Sequence, residues 1–92
     1  MLQLVTTTKF RKDYKLIKKR GYNLDLLETV LDTLLNEESL PEQYKDHPLI
    51  GNYLGFRECH IQSDWLLIYA ISNEELILTA SRTGTHSDLF DE

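Results

Sequence analysis

The sequence predicts an α+β domain of order β-α-α-β-β-β, with two N-terminal helices packed on one face of a small antiparallel sheet. Three observations lead there. Two amphipathic helical patterns lie within residues 9–36, and three β-patterned runs separated by short turns lie within residues 53–83. Each set has one apolar face, and the two faces can cover each other. A hydrophobic fraction of 41% in 92 residues is enough for one core, so residues 1–92 read as a single domain.

The elements follow in chain order. "LQLVT" at 2–6 can form a short first strand. Thr8 offers an N-cap and Gly21 a C-terminal stop for a helix over roughly 9–20. Phe10, Tyr14 and Ile17 fall on one face of it, and Arg11, Lys15 and Lys18 on a neighbouring face. Asn23 can cap a second helix over about 24–36, with Leu24, Leu27, Leu31 and Leu34 as its buried stripe. The segment "NEESLPEQYKDHPLIGN", 36–52, contains two prolines and a glycine and holds no period. It reads as a long irregular connection, a kind of segment that often carries function.

Strands are then expected over roughly 53–61, 65–71 and 76–83, joined by turns at Gln62–Ser63 and around Asn73 into a meander. Pairing across the first turn sets His60 opposite Trp65, and pairing across the second sets Trp65 near Arg82. His60, Asp64 and Arg82 therefore gather at one end of the sheet. The chain leaves by that same end through "TGTHSDLF", which brings His86 close.

Composition narrows the class. The single cysteine, Cys59, has no partner and reads as a small strand hydrophobe in a reduced, cytoplasmic protein. No apolar run approaches the roughly 18–20 residues of a membrane span. The N-terminus is too polar after Val5 for a signal peptide. The net charge of −5 is unevenly spread: residues 1–20 carry seven basic residues against one acid, and residues 21–92 three against fourteen. A basic segment on an acidic body can meet an acidic partner or a nucleic-acid backbone, or serve as a solvated helix face.

All three histidines fall in or near the expected site. His60 and His86 share the sheet end with Asp64 and Arg82, and His47 lies in the long connection just before the next strand. Histidine suits proton transfer at neutral pH, and arginine presents a planar fork of donors to phosphate oxygens. Trp65 and Phe90 supply faces on which a nucleobase can stack. These are the groups needed to cleave RNA without a metal: a base for the ribose 2′-OH, an acid for the leaving 5′-oxygen, and a cation for the phosphate. Zinc on His47, His60 and His86 is a weaker reading, because no compact ligand spacing is present.

"YKDHPLIGNYLGFRECHIQSDWLLIY" (44–69) and "SRTGTHSDLF" (81–90) resemble the YafQ toxins of the RelE/ParE superfamily, the toxin halves of bacterial type II toxin–antitoxin systems. The likeness is specific over 44–90; residues 1–43 match in helix pattern and length. It implies a RelE-like fold and a ribosome-dependent endoribonuclease that cuts mRNA in the A site with neither metal nor cofactor. It also implies a small antitoxin with a ribbon-helix-helix end, and a complex that binds its own operator DNA. Carried over by position, the site residues are His47, His60, Asp64, Trp65, Arg82, His86 and Phe90. On this resemblance Asp64 and His86 handle protons, while His60 and His47 orient the phosphate or share that role. Arg82 stabilises the transition state, and Arg11, Lys15 and Lys18 contact ribosomal RNA or the antitoxin. The resemblance does not say which group is acid and which is base. The main alternative is a ParE-like poison of DNA gyrase with the same fold and no chemistry, which would not need the histidines. A plain protein-interaction module is a third reading.

Overall fold

The computed structural model describes residues 1–90. Strand β1 (Gln3–Thr6) leads into helices α1 (Thr8–Lys19) and α2 (Leu24–Leu35). After a long connection come β2 (His47–Pro48), β3 (Arg57–Gln62), β4 (Trp65–Ser72) and β5 (Ile77–Gly84), then a short α3 (His86–Phe90). The sheet has five strands in the order β1-β5-β4-β3-β2.

Both helices begin at side-chain caps. Thr7, one residue earlier than expected, accepts the Phe10 N–H at 3.0 Å and donates its hydroxyl to Ser81 O at 2.7 Å, which ties the start of α1 to β5. Asn23 caps α2 through the Asp25 N–H. Phe10 and Ile17 from α1, and Leu27, Val30 and Leu34 from α2, are buried against Cys59, Trp65, Leu67, Tyr69, Leu78 and Ala80 of the sheet. The α2 stripe is centred on Val30, with Leu24 and Leu31 half-buried at its margins. Truncating a fully buried leucine such as Leu27 to alanine would cost about 2–5 kcal/mol.

Three features differ from the sequence expectation. The sheet is mixed, because β1 pairs parallel to β5 from Gln3↔Ile77 to Thr6↔Ala80; the helical crossover between them permits a parallel partner that no local turn signals. The long connection contributes a two-residue edge strand, β2, which shortens the loop and fastens His47 to Glu58 of β3. Finally, the last described residues, His86–Phe90, form α3.

The registers also shift. His60 faces Leu66 and Gln62 faces Trp65, leaving Ile61 as an extra residue. In the second hairpin Ile68 faces Arg82 while Tyr69 faces Ala80, which makes Ser81 a bulge. That bulge sets the site. Leu78 and Ala80 face the helices, and unbroken alternation would send Arg82 there too. The extra residue instead turns Arg82 to the open face and gives the helix face to Thr83.

Candidate active site

The expected site residues His47, His60 and Arg82 lie on the face of the sheet away from the α1 and α2 core. One cross-strand row runs His47–Glu58–Ile68–Arg82 over four strands, and the next runs His60–Leu66–Gly84. Same-face residues two apart along a strand are separated by about 6.7 Å, so long side chains in these two rows can meet. Leu66, Ile68 and Leu89, with Leu49, Tyr53, Phe56 and Phe90 packed on them, make a small apolar bed beside the row.

Glu58 is the centre of the cluster. It is buried at 5% exposure, with Oε1 3.5 Å from His47 Nε2 and 3.7 Å from His60 Nε2. Sequence reading missed it, although period-2 alternation held the signal: once Cys59 and Ile61 are assigned to the core, Glu58 must share a face with His60. The rings of His47 and His60 are 6.5 Å apart, and those of His60 and His86 are 5.9 Å apart. His60 forms the floor, and the more exposed His47 and His86 form the walls.

Two of the rings are fixed through Nδ1. His86 Nδ1 lies 2.8 Å from Asp64 Oδ1, which also accepts the His86 backbone N–H at 3.1 Å. The His86 contact in turn holds the Asp64 carboxyl below the usual carboxylate range. His47 Nδ1 lies 2.6 Å from the Lys45 carbonyl and must donate to it, since a carbonyl only accepts. In a neutral ring so held, Nε2 keeps its lone pair. Glu58, His60 and His86 each offer a donor atom within 4.8 Å of the others, so these three, rather than three histidines, could hold a divalent cation.

α3 brings His86 and Phe90 together, with ring centres 6.3 Å apart, and Phe90 packs edge-on against Tyr53 at 5.8 Å. The placement of α3 depends on Asp88, which accepts Arg20 Nη1 at 2.7 Å, Arg20 Nη2 at 3.2 Å and the Thr85 N–H at 3.0 Å.

Two expected site residues stand differently. Trp65 is buried at 1% exposure, donates its indole N–H to Thr83 Oγ1 at 2.9 Å and meets Tyr22 edge-on. It faces the helices and offers no free surface to a nucleobase, because the register that seemed to bring it to the sheet end was displaced. Arg82 lies within the sheet rather than beside Trp65, and Asp13 of α1 holds its Nε and Nη2 at 2.7 and 3.0 Å. Of the basic face, Lys15 and Lys18 are exposed, while Arg11 folds back onto Thr6 and Thr8. Burial pushes the Cys59 thiol up to about 12, which removes it as a nucleophile.

Residues 2–91 match the family model described as the bacterial toxin of type II toxin–antitoxin system, YafQ. An 82-residue stretch is 42% identical to the mRNA interferase toxin YafQ of Escherichia coli K12, covering 88% of this chain and 87% of that protein. The metal-bound toxin from Helicobacter pylori is 47% identical, with a TM-score of 0.92 over 98% of this chain and 100% of that one. A chain of the E. coli DinJ–YafQ complex is 37% identical, with a TM-score of 0.89 over 98% of this chain and 99% of that one.

Proposed function

The chain belongs to the YafQ family of bacterial type II toxins, and within that family we propose that it cuts mRNA held in the ribosomal A site. It is an endoribonuclease, as its E. coli relative's name of mRNA interferase states for that protein. The observation that carries the reading is the convergence of His47, Glu58, His60 and His86 on one patch of open sheet, with Asp64 fixing the His86 ring. A gyrase poison acting by binding alone would have no use for such a cluster.

The geometry supports the following chemistry. His86, donating from Nδ1 to Asp64, takes the proton of the ribose 2′-OH on Nε2. The 2′-oxygen attacks the adjacent phosphorus and the bond to the 5′-oxygen breaks. His60, beside Glu58, gives that oxygen a proton, leaving a 2′,3′-cyclic phosphate and a free 5′-hydroxyl. His47 helps to orient the phosphate. Arg82, pre-aligned by Asp13, stabilises the charge gathering on it. Phe90 stacks on the base next to the cut. Asp64 thus acts through His86 and exchanges no proton with the substrate. No metal takes part in this scheme, in which a divalent ion on Glu58, His60 and His86 would engage the side chains that the steps require.

A toxin with this activity has an antitoxin partner, as the DinJ–YafQ complex has. Here the partner is a small ribbon-helix-helix protein, and the resting complex binds its own operator DNA. Lys15 and Lys18 on exposed α1 meet an acidic antitoxin segment, or ribosomal RNA once that segment is released. Among the described residues no helix is long and apolar enough to cross a membrane, and ribosome-directed cleavage places the protein in the cytoplasm.

Induced expression in cells, with primer-extension mapping of transcript ends, tests the assignment. Wild type should cut messages at discrete codons. His86→Ala should make no cuts while keeping its melting temperature within a few degrees, since an exposed side chain contributes little to stability. A fully toxic His86→Ala protein would remove this histidine from the reaction.

A further inference from the structure

Behind the cluster, on the helix side of the sheet, Asp46, Arg57 and Tyr69 form a second polar group outside the catalytic face. Tyr69 is 1% exposed, and its hydroxyl donates to Asp46 Oδ1 at 2.5 Å. Burial pushes its phenol well above the usual range, so it stays a donor. Arg57 Nε and Nη2 donate to Asp46 Oδ1 and Oδ2, each at 3.3 Å. Arg57 and Tyr69 are direct cross-strand partners, so the two donors stand side by side on the strands that also carry Glu58 and Ile68.

The chain around Asp46 explains what this group can do. Strand β2 is two residues long, and one of them, Pro48, has no N–H to give the ladder. Lys45 adopts a left-handed backbone with φ of 50°, which turns the chain immediately before Asp46. Consecutive extended residues point to opposite faces. Asp46 therefore goes down to Tyr69 and Arg57 while His47 goes up to Glu58. Fixing one side chain fixes the direction of the other.

We infer that Asp46, clamped by Tyr69 and Arg57, is a positioning residue that aims His47 into the catalytic cluster. This rests on the proposed role of His47 in cleavage. A clamp that only stabilised the fold would affect all three histidines alike, whereas one that aims His47 would affect that ring alone.

The test uses Tyr69→Phe, which removes one oxygen from a buried ring, and Asp46→Asn, at a half-buried position outside the core. Asp46→Asn keeps the test open if the first variant folds poorly. Single-turnover cleavage of a defined message on programmed ribosomes should slow about 10-fold in each, the scale on which supporting hydrogen bonds act. In a His47→Ala background neither change should slow residual cleavage more than about twofold. Imidazole NMR signals of the free toxin should move or broaden for His47 and stay put for His60 and His86. A full 10-fold loss in the His47→Ala background, or an unmoved His47 signal, would overturn the inference. A His47→Ala protein that cleaves at the wild-type rate would instead sink the role of His47 in the reaction. The imidazole signals would still decide whether Asp46 aims the ring.

Discussion

Replacing Asp88 by asparagine isolates the charge that holds α3, and with it His86 and Phe90, against the body of the domain. Asparagine keeps an oxygen for the Thr85 N–H but loses the two-pronged ion pair with Arg20. In the fold, the Arg20 guanidinium and then the Thr85 donors lower the Asp88 carboxyl from 3.8 to about 2. At about 1.36 kcal/mol per unit this amounts to roughly 2.5 kcal/mol. With Arg20 and Asp88 side chains 37% and 21% exposed, solvent screening reduces it to about 1 kcal/mol. For a domain of this size that is a fall of about 5 °C in Tm.

The pH dependence is specific. The unfolded aspartate takes up its proton near pH 4 and the folded one near pH 2, so the pair's stability is complete above about pH 4 and is lost on falling towards pH 2. Urea unfolding followed by Trp65 fluorescence should show wild type and Asp88→Asn separated by about 1 kcal/mol at pH 7 and pH 5. About half of that separation should remain at pH 3. A separation that is constant with pH, or absent at pH 7, would refute the reasoning.

Other outcomes follow from the same geometry. Gly84→Ala would place a Cβ 2.9 Å from Asp88 Oδ2 at a backbone φ of +151°, and should cost about 1–3 kcal/mol in thermal melts; an unchanged Tm would contradict that packing. Asp64→Asn should lower single-turnover cleavage about 10–100-fold with a nearly unchanged melt, because it loosens the His86 ring without touching the core. Trp65→Phe should lose about 1 kcal/mol of stability with the indole hydrogen bond, yet cleave near the wild-type rate well below its Tm; a 100-fold loss of cleavage would put Trp65 in contact with RNA after all.

Local signals made α1, α2 and the meander legible in the sequence, together with the gathering of His60, Asp64 and His86 at one sheet end. Caps and apolar periods mark α1 and α2, and a tight turn, expected at Gln62–Ser63 and found at Ser63–Asp64, marks the β3–β4 hairpin. What was not legible came from single-residue shifts and from partners distant along the chain. The Ser81 bulge inverts the face of Arg82, and nothing in "TASRTG" announces it. Asp13 meets Arg82 and Arg20 meets Asp88 across 69 and 68 residues, so the basic run at 1–20 hid an internal latch. Trp65 looked like part of the site because an unshifted hairpin sets it opposite His60; the extra residue Ile61 gives that place to Leu66 and leaves Trp65 on the helix face. Glu58 was within reach of the same alternation.

In the proposed reaction the substrate's own 2′-oxygen is the nucleophile, activated by a histidine that Asp64 fixes. The most direct measurement programs ribosomes with a message carrying a single 2′-deoxy ribose immediately 5′ of the mapped cut. Toxin is added in single-turnover excess, and the product ends are read. That message should occupy the A site yet resist cleavage, while the all-ribose control yields a 5′-hydroxyl fragment and a 2′,3′-cyclic phosphate or the 3′-phosphate derived from it. Cleavage of the deoxy message at an undiminished rate, or a 5′-phosphate on the fragment, would contradict the account.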